Sequence, residues 1–163
     1  MRDRIQRKNF AAFAGAALVG LGLVAGGAGA AAAAPACATA TDEAALNTRV
    51  LQTELMVAAL SCGEQQRYNT FVNTFKTDLI KGGEGLRALF RRVHGASGEY
   101  QMNAFVTKLA NDAAQRTANG QAAYCASAAN LFNEVLATPP QQFSRITTKP
   151  ELSSRNGFTR CRS

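Results

Sequence analysis

The chain has 163 residues, with 18 Lys and Arg against 11 Asp and Glu, one His, four Cys and no Trp. That length suits one domain and leaves little room for two. The basic balance is uneven: residues 1–36 sum to +3, residues 37–140 hold nine cations and nine acids, and residues 141–163 sum to +4. A neutral body with a basic segment at each end argues against a nucleic-acid-binding fold, which needs its positive face built into the body.

Residues 1–9 carry Arg2, Arg4, Arg7 and Lys8, residues 10–34 carry no charge, and Ala34-Pro35-Ala36 is small. Positive start, apolar middle and small-residue exit are the three parts of a secretory signal peptide, so residues 1–36 are read as one. A membrane anchor is the rival, because the uncharged run is long enough to span a bilayer. Its Ala and Gly content weakens that rival, since these residues gain little from lipid. Two further variants stand beside it. Cys37 could be the first residue of a lipoprotein, although the preceding Leu is missing. Gln6-Arg7-Lys8-Asn9-Phe10 loosely resembles a twin-arginine signal, with Lys8 in place of the second Arg. The destination expected from this start is the bacterial periplasm or the exterior, with membrane contact only through the signal.

The mature chain then reads as all-α, an up-down bundle of four or five helices over residues 37–138. Thr41-Asp42-Glu43 offers a cap and first-turn acids. Leu51, Leu55, Ala58, Ala59 and Cys62 follow as one stripe, and Gly63 ends it. Ser61-Cys62-Gly63-Glu64 fits a capping box. Tyr68, Phe71, Val72, Phe75 and Leu79 form the clearest apolar stripe, which Gly82-Gly83 is expected to interrupt. A short helix over 84–94 carries Leu86, Leu89, Phe90 and Val93. Ser97 can cap the next, with Met102, Phe105, Val106, Leu109, Ala110 and Ala113. The last helix, about 121–137, carries Tyr124, Cys125, Ala128, Leu131, Phe132 and Val135, and Thr138-Pro139-Pro140 stops it. No stretch sustains a two-residue alternation, so strands are not expected. Residues 139–163 read as an extended, irregular, basic tail in which Phe143, Ile146, Leu152 and Phe158 show no period.

The cysteines agree with export. Cys37, Cys62, Cys125 and Cys161 make an even count, which in a short exported chain reads as a disulfide framework. Four cysteines allow three pairings. Position along the chain favours Cys62 with Cys125, at facing helix ends, and Cys37 with Cys161, at the two ends of the mature chain. No two lie within 20 positions of each other, so the short paired spacings of structural zinc, and the Cys-x-x-Cys of haem attachment or redox catalysis, are missing.

Chemistry is thinly signalled. The single His94 sits at a helix end before Gly95, where a cap explains it without a catalytic partner. Arg87, Arg91 and His94 share a helix face and form a candidate anion-binding patch, or else a solvated surface. Among the acids, Asp42, Glu43, Glu64 and Glu99 are explained by helix ends. Glu54 is not: it borders the stripe of Leu51, Leu55 and Ala58, where an acid is normally paired with an Arg. Gly-x-Ser-x-Gly, His-Glu-x-x-His and phosphate-binding glycine loops are absent, so no enzyme, cofactor or metal site is expected. In the tail, Arg145, Lys149, Arg155, Arg160 and Arg162 interleave with Phe143 and Phe158, and can touch an acidic envelope polymer, anionic lipid headgroups or an acidic protein, or else form an ordinary solvated tail.

The run Leu51-Gln52-Thr53-Glu54-Leu55-Met56-Val57-Ala58-Ala59-Leu60-Ser61-Cys62, with Tyr68-Asn69-x-Phe71-Val72, Ala104–Asn111 and Tyr124-Cys125, resembles a group of small exported bacterial proteins of unknown function. The resemblance covers about residues 48–136. It implies an exported, disulfide-linked helical domain and brings no site residues. The reading is therefore a non-enzymatic envelope domain that binds a partner or stabilises the envelope. The alternative is a carrier in which Phe71, Phe75, Phe90, Phe105 and Phe132 line a cavity for a small apolar ligand or lipid.

Overall fold

A computed structural model describes residues 37–162. The signal-peptide expectation for residues 1–36 lies outside them. Among the described residues there are seven α-helices and no β-strand: α1 (Ala40–Cys62), α2 (Gln65–Thr74), α3 (Lys76–His94), α4 (Gly98–Asn119), α5 (Gln121–Ala137), α6 (Phe143–Thr147) and α7 (Pro150–Asn156). No helix among them is long and apolar enough to cross a membrane.

Helix α1 is the axis of the domain, and every other helix packs against it. Its buried residues run almost without a gap from Ala45 to Ala59. A helix surrounded on all sides needs no single apolar stripe. The stripe of Leu51, Leu55 and Ala58 is therefore one wall of several, and Asn47, Thr48, Thr53 and Glu54 are buried on the others. The cap is Thr39, two residues before the expected Thr41. Its hydroxyl accepts from the Asp42 amide while the Asp42 carboxylate accepts from the Thr39 amide, a complete capping box. Gly63 ends α1 in the left-handed conformation at φ 77°. The capping box expected at Ser61–Glu64 does not form. Glu64 itself begins α2 without a side-chain cap, and its carboxylate lies 3.6 Å from Arg67.

Helix α3 runs unbroken through Gly82-Gly83, correcting the expected interruption. The irregularity falls earlier, at Phe75, where φ is −105° and the amide still bonds the carbonyl of Phe71. Proximity to α1 accounts for Gly82. A Cβ there would stand 2.7 Å from Thr48 Cγ2, and one at Gly85 would stand 3.0 Å from Ala45 Cβ. The glycines act as contact points between two helices rather than as breaks.

The C-terminal segment also departs from expectation, since α6 and α7 lie within the supposed extended tail. Phe143, Ile146 and Leu152 are buried in the larger core cluster with Phe71, Phe75 and Phe132. Phe158 stacks edge-on against Phe90 and Phe105 in the smaller one. Burying each such side chain is worth about 2 kcal/mol, so the segment is a strap over the bundle. Asn47 locks it. Its amide donates to the Thr147 carbonyl at 2.7 Å and to Ser153 Oγ at 2.9 Å, and its Oδ1 accepts from Asn156 at 2.9 Å.

Both disulfides join as position favoured: Cys37 with Cys161, and Cys62 with Cys125. The first closes the strap. Beside it Ala38 donates to the Thr159 carbonyl and accepts from the Cys161 amide. The second ties the end of α1 to the start of α5. Each closes a long loop and contributes on the order of 4 kcal/mol in the chain-entropy model. Such bridges persist in oxidising compartments.

Candidate functional site

Where α1, α4, α5 and α7 meet, a cleft of about 530 Å³ opens. Helix α1 supplies Glu54 and Leu55. The end of α4 supplies Arg116 and Asn119, and the cap after it Gly120. Helix α5 supplies Ala123, Tyr124, Ser127, Ala128 and Leu131. The strap supplies Lys149, Glu151, Leu152 and Arg155. Much of the wall is apolar, and among its charged groups Glu54, Arg116 and Arg155 converge, the composition of a small-molecule site.

Glu54 is 8% exposed, and the acid at the edge of an apolar stripe is indeed paired with arginine. Arg116 Nη2 bonds its Oε1, and Arg155 Nη1 lies 3.3 Å from the same oxygen. Two guanidiniums thus share one carboxylate oxygen. Burying a charge this deeply is tolerable only with such partners. The neighbouring Tyr124 hydroxyl donates to the Glu54 carbonyl at 3.4 Å. Burial first, and the Glu54 charge second, raise the phenol above its ordinary pKa of 10.0. Gln121 fixes the start of α5 by donating to the Ser61 carbonyl at 2.8 Å, and the Cys62–Cys125 bridge lies next to Tyr124.

The expected cationic residues divide. Arg155 enters the cleft. Arg160 pairs instead with Glu43, and Lys149 with Glu134 at 2.5 Å. Arg145 donates to Gln142 Oε1 at 2.8 Å, and Arg162 is exposed. Acids of the bundle thus meet several cations that looked, along the sequence, like a free basic arm. Arg87 and Arg91 line a separate recess with Glu99 and Met102, while His94 stacks on the Phe90 ring at 5.6 Å. His94 is not among the residues lining that recess. The aromatic residues considered as cavity lining pack on one another. Phe71, Phe75 and Phe132 are fully buried, Phe75 stacks with Phe71 and Phe143, and Phe90 with Phe105. None of these five lines the cleft at Glu54.

The sequence pattern marks Lys149 and Arg155 only as tail cations, and it does not mark Arg116. A signal for Arg116 exists: it lies three residues after Ala113 and seven after Leu109, so it prolongs the buried stripe of α4. A charge continuing a buried stripe is the same anomaly that marked Glu54. Comparison with protein-family models, curated proteins and solved structures finds no match to the chain.

Proposed function

We propose that the chain is an exported, non-enzymatic binding domain of the bacterial periplasm or cell exterior, and that the Glu54 cleft is its binding site. One observation carries the reading: a cleft of small-molecule size holds a buried carboxylate and two guanidiniums beside an apolar wall. The wall is assembled from four helices, one of them in the strap held by Cys37–Cys161. The bridges favour the export half of the reading, as does the sequence of residues 1–36. An electrostatic tail that grips an acidic envelope polymer is less favoured, because Lys149, Arg155 and Arg160 are engaged with acids of the bundle.

Mass spectrometry of protein from the exported fraction of its native host tests both halves. The denatured mass should begin near Cys37 and rise by four alkyl groups only after reduction. The native mass should carry an added small molecule, lost from a Leu131→Asp variant that places a charge in the apolar wall. Four free thiols, or a mass retaining residues 1–36, count against export. A bare native mass for the wild-type protein counts against the cleft.

A further inference from the structure

The charges of the cleft are unequal, and from this we infer the class of its ligand: a small amphipathic carboxylate, with an anionic head and one apolar body. The inference rests on the binding reading above and narrows it. Glu54 Oε1 receives both Arg116 and Arg155, so two positive charges face one negative charge. A guanidinium carries five N–H donors in a fixed fork. One carboxylate oxygen engages a single nitrogen of each, and neither guanidinium has another acidic partner among the described residues. Their side chains are 37% and 40% exposed, so the remaining donors are reachable from the cleft. The other charges at the rim do not reverse the excess. Lys149 and Glu151, which also line the cleft, are of opposite sign and cancel.

Three kinds of head group can be compared. A cationic head meets two guanidiniums before it meets Glu54, which is already doubly paired. A neutral head competes with water for the donors and gains little. A carboxylate bridges Arg116 and Arg155, matching the fork bidentately, and brings the local charge to zero. The body of such a ligand then lies along Leu55, Ala128, Leu131 and Leu152. Glu54 is the internal competitor for the same cations, holding the forks in place until a ligand carboxylate joins them.

Isothermal titration of the disulfide-intact protein with three probes of equal chain length reads the head group directly. The probes are decanoate, decan-1-ol and decyltrimethylammonium, each below its micellar concentration. Decanoate should bind at least about tenfold tighter than decanol, the difference expected of a charge-assisted over a neutral contact. Decyltrimethylammonium should not saturate. Arg116→Gln and Arg155→Gln should each weaken decanoate about tenfold and leave decanol unchanged. Glu54→Gln should strengthen decanoate binding, an outcome that a purely structural Glu54 does not predict. Equal binding of decanol and decanoate, or tighter binding of the ammonium, overturns the carboxylate inference and leaves the cleft standing as a site. Failure of all three probes overturns the cleft itself.

Discussion

Helix α1 meets α3 and the strap in two different ways. Toward α3 it offers Ala45 and Thr48, and α3 answers with Gly85 and Gly82, so the backbones approach until no Cβ fits between them. Toward the strap it offers Asn47 and Glu54, and the strap answers with Thr147, Ser153, Asn156 and Arg155. The first contact is steric and close, and the recess on its flank is the smaller one, about 250 Å³. The second is polar and directional, and directional contacts fix positions without filling space. Beside Asn47 the polar groups satisfy one another. Beside Glu54 the fit is incomplete, and the cleft opens there. The larger space arises where the chain uses long charged side chains in place of small ones.

The sharpest way to break this contrast is to put bulk into the steric contact. Gly82→Leu drives a side chain into Thr48 and should cost about 3 kcal/mol, at the upper end for overpacking. Its neighbour is the control. Nothing lies within 4 Å of a Cβ at Gly83, so Gly83→Ala should gain up to about 1 kcal/mol from helix propensity alone. Urea midpoints of the two variants should therefore move in opposite directions. Movement in the same direction would mean that the α1–α3 approach is looser than 2.7 Å at Thr48 implies.

The polar contact should be weaker in energy and more local in effect. Asn47→Leu removes the donor to Thr147 and the acceptor for Asn156, leaving buried groups unpaired. The cost expected is about 2 kcal/mol. Hydrogen exchange places the damage. Amides of residues 143–158 should lose protection while those of α3 keep theirs, because Cys37–Cys161 still holds the end of the strap. Uniform loss of protection across both regions would instead make Asn47 a general core residue.

The steric and polar walls were not equally legible in the sequence. Apolar periodicity placed α1, α4 and α5, and their ends brought Cys62 to Cys125, but it divided the span of α2 and α3 at Gly82-Gly83 and not at Phe75. Glu54 stood out because an acid on an apolar stripe needs a partner. Gly82-Gly83 misled, since a glycine pair weakens a helix in isolation and only its neighbour Thr48 makes it useful. The strap misled for a related reason. Helices of five and seven residues cannot nucleate by themselves, so their formation depends on Phe143, Ile146 and Leu152 finding a core. Arg155 could be seen as a cation, but its partner lies 101 positions away along the chain at Glu54. Features set by local chemistry and the two cysteine pairs were readable, while the strap helices and the partner of Arg155 were not.

The smallest effect expected separates the two walls by pH. Tyr124 belongs to the polar side only, and burial together with Glu54 raises its pKa above 10.0 in the folded protein. The unfolded chain therefore loses this proton at lower pH than the native one. The stabilisation is complete below pH 10 and fades as pH rises through the folded value. Tyr124→Phe removes the titration while keeping the ring, at the cost of one long hydrogen bond to the Glu54 carbonyl. The difference in stability between wild type and variant should thus be constant from pH 7 to 9 and shift in favour of the variant above pH 10. The other tyrosines, Tyr68 and Tyr100, are present in both proteins and cancel in the comparison. A pH-independent difference would show that the phenol is as well solvated in the cleft as in the unfolded chain, and that the polar wall is open to water at Tyr124.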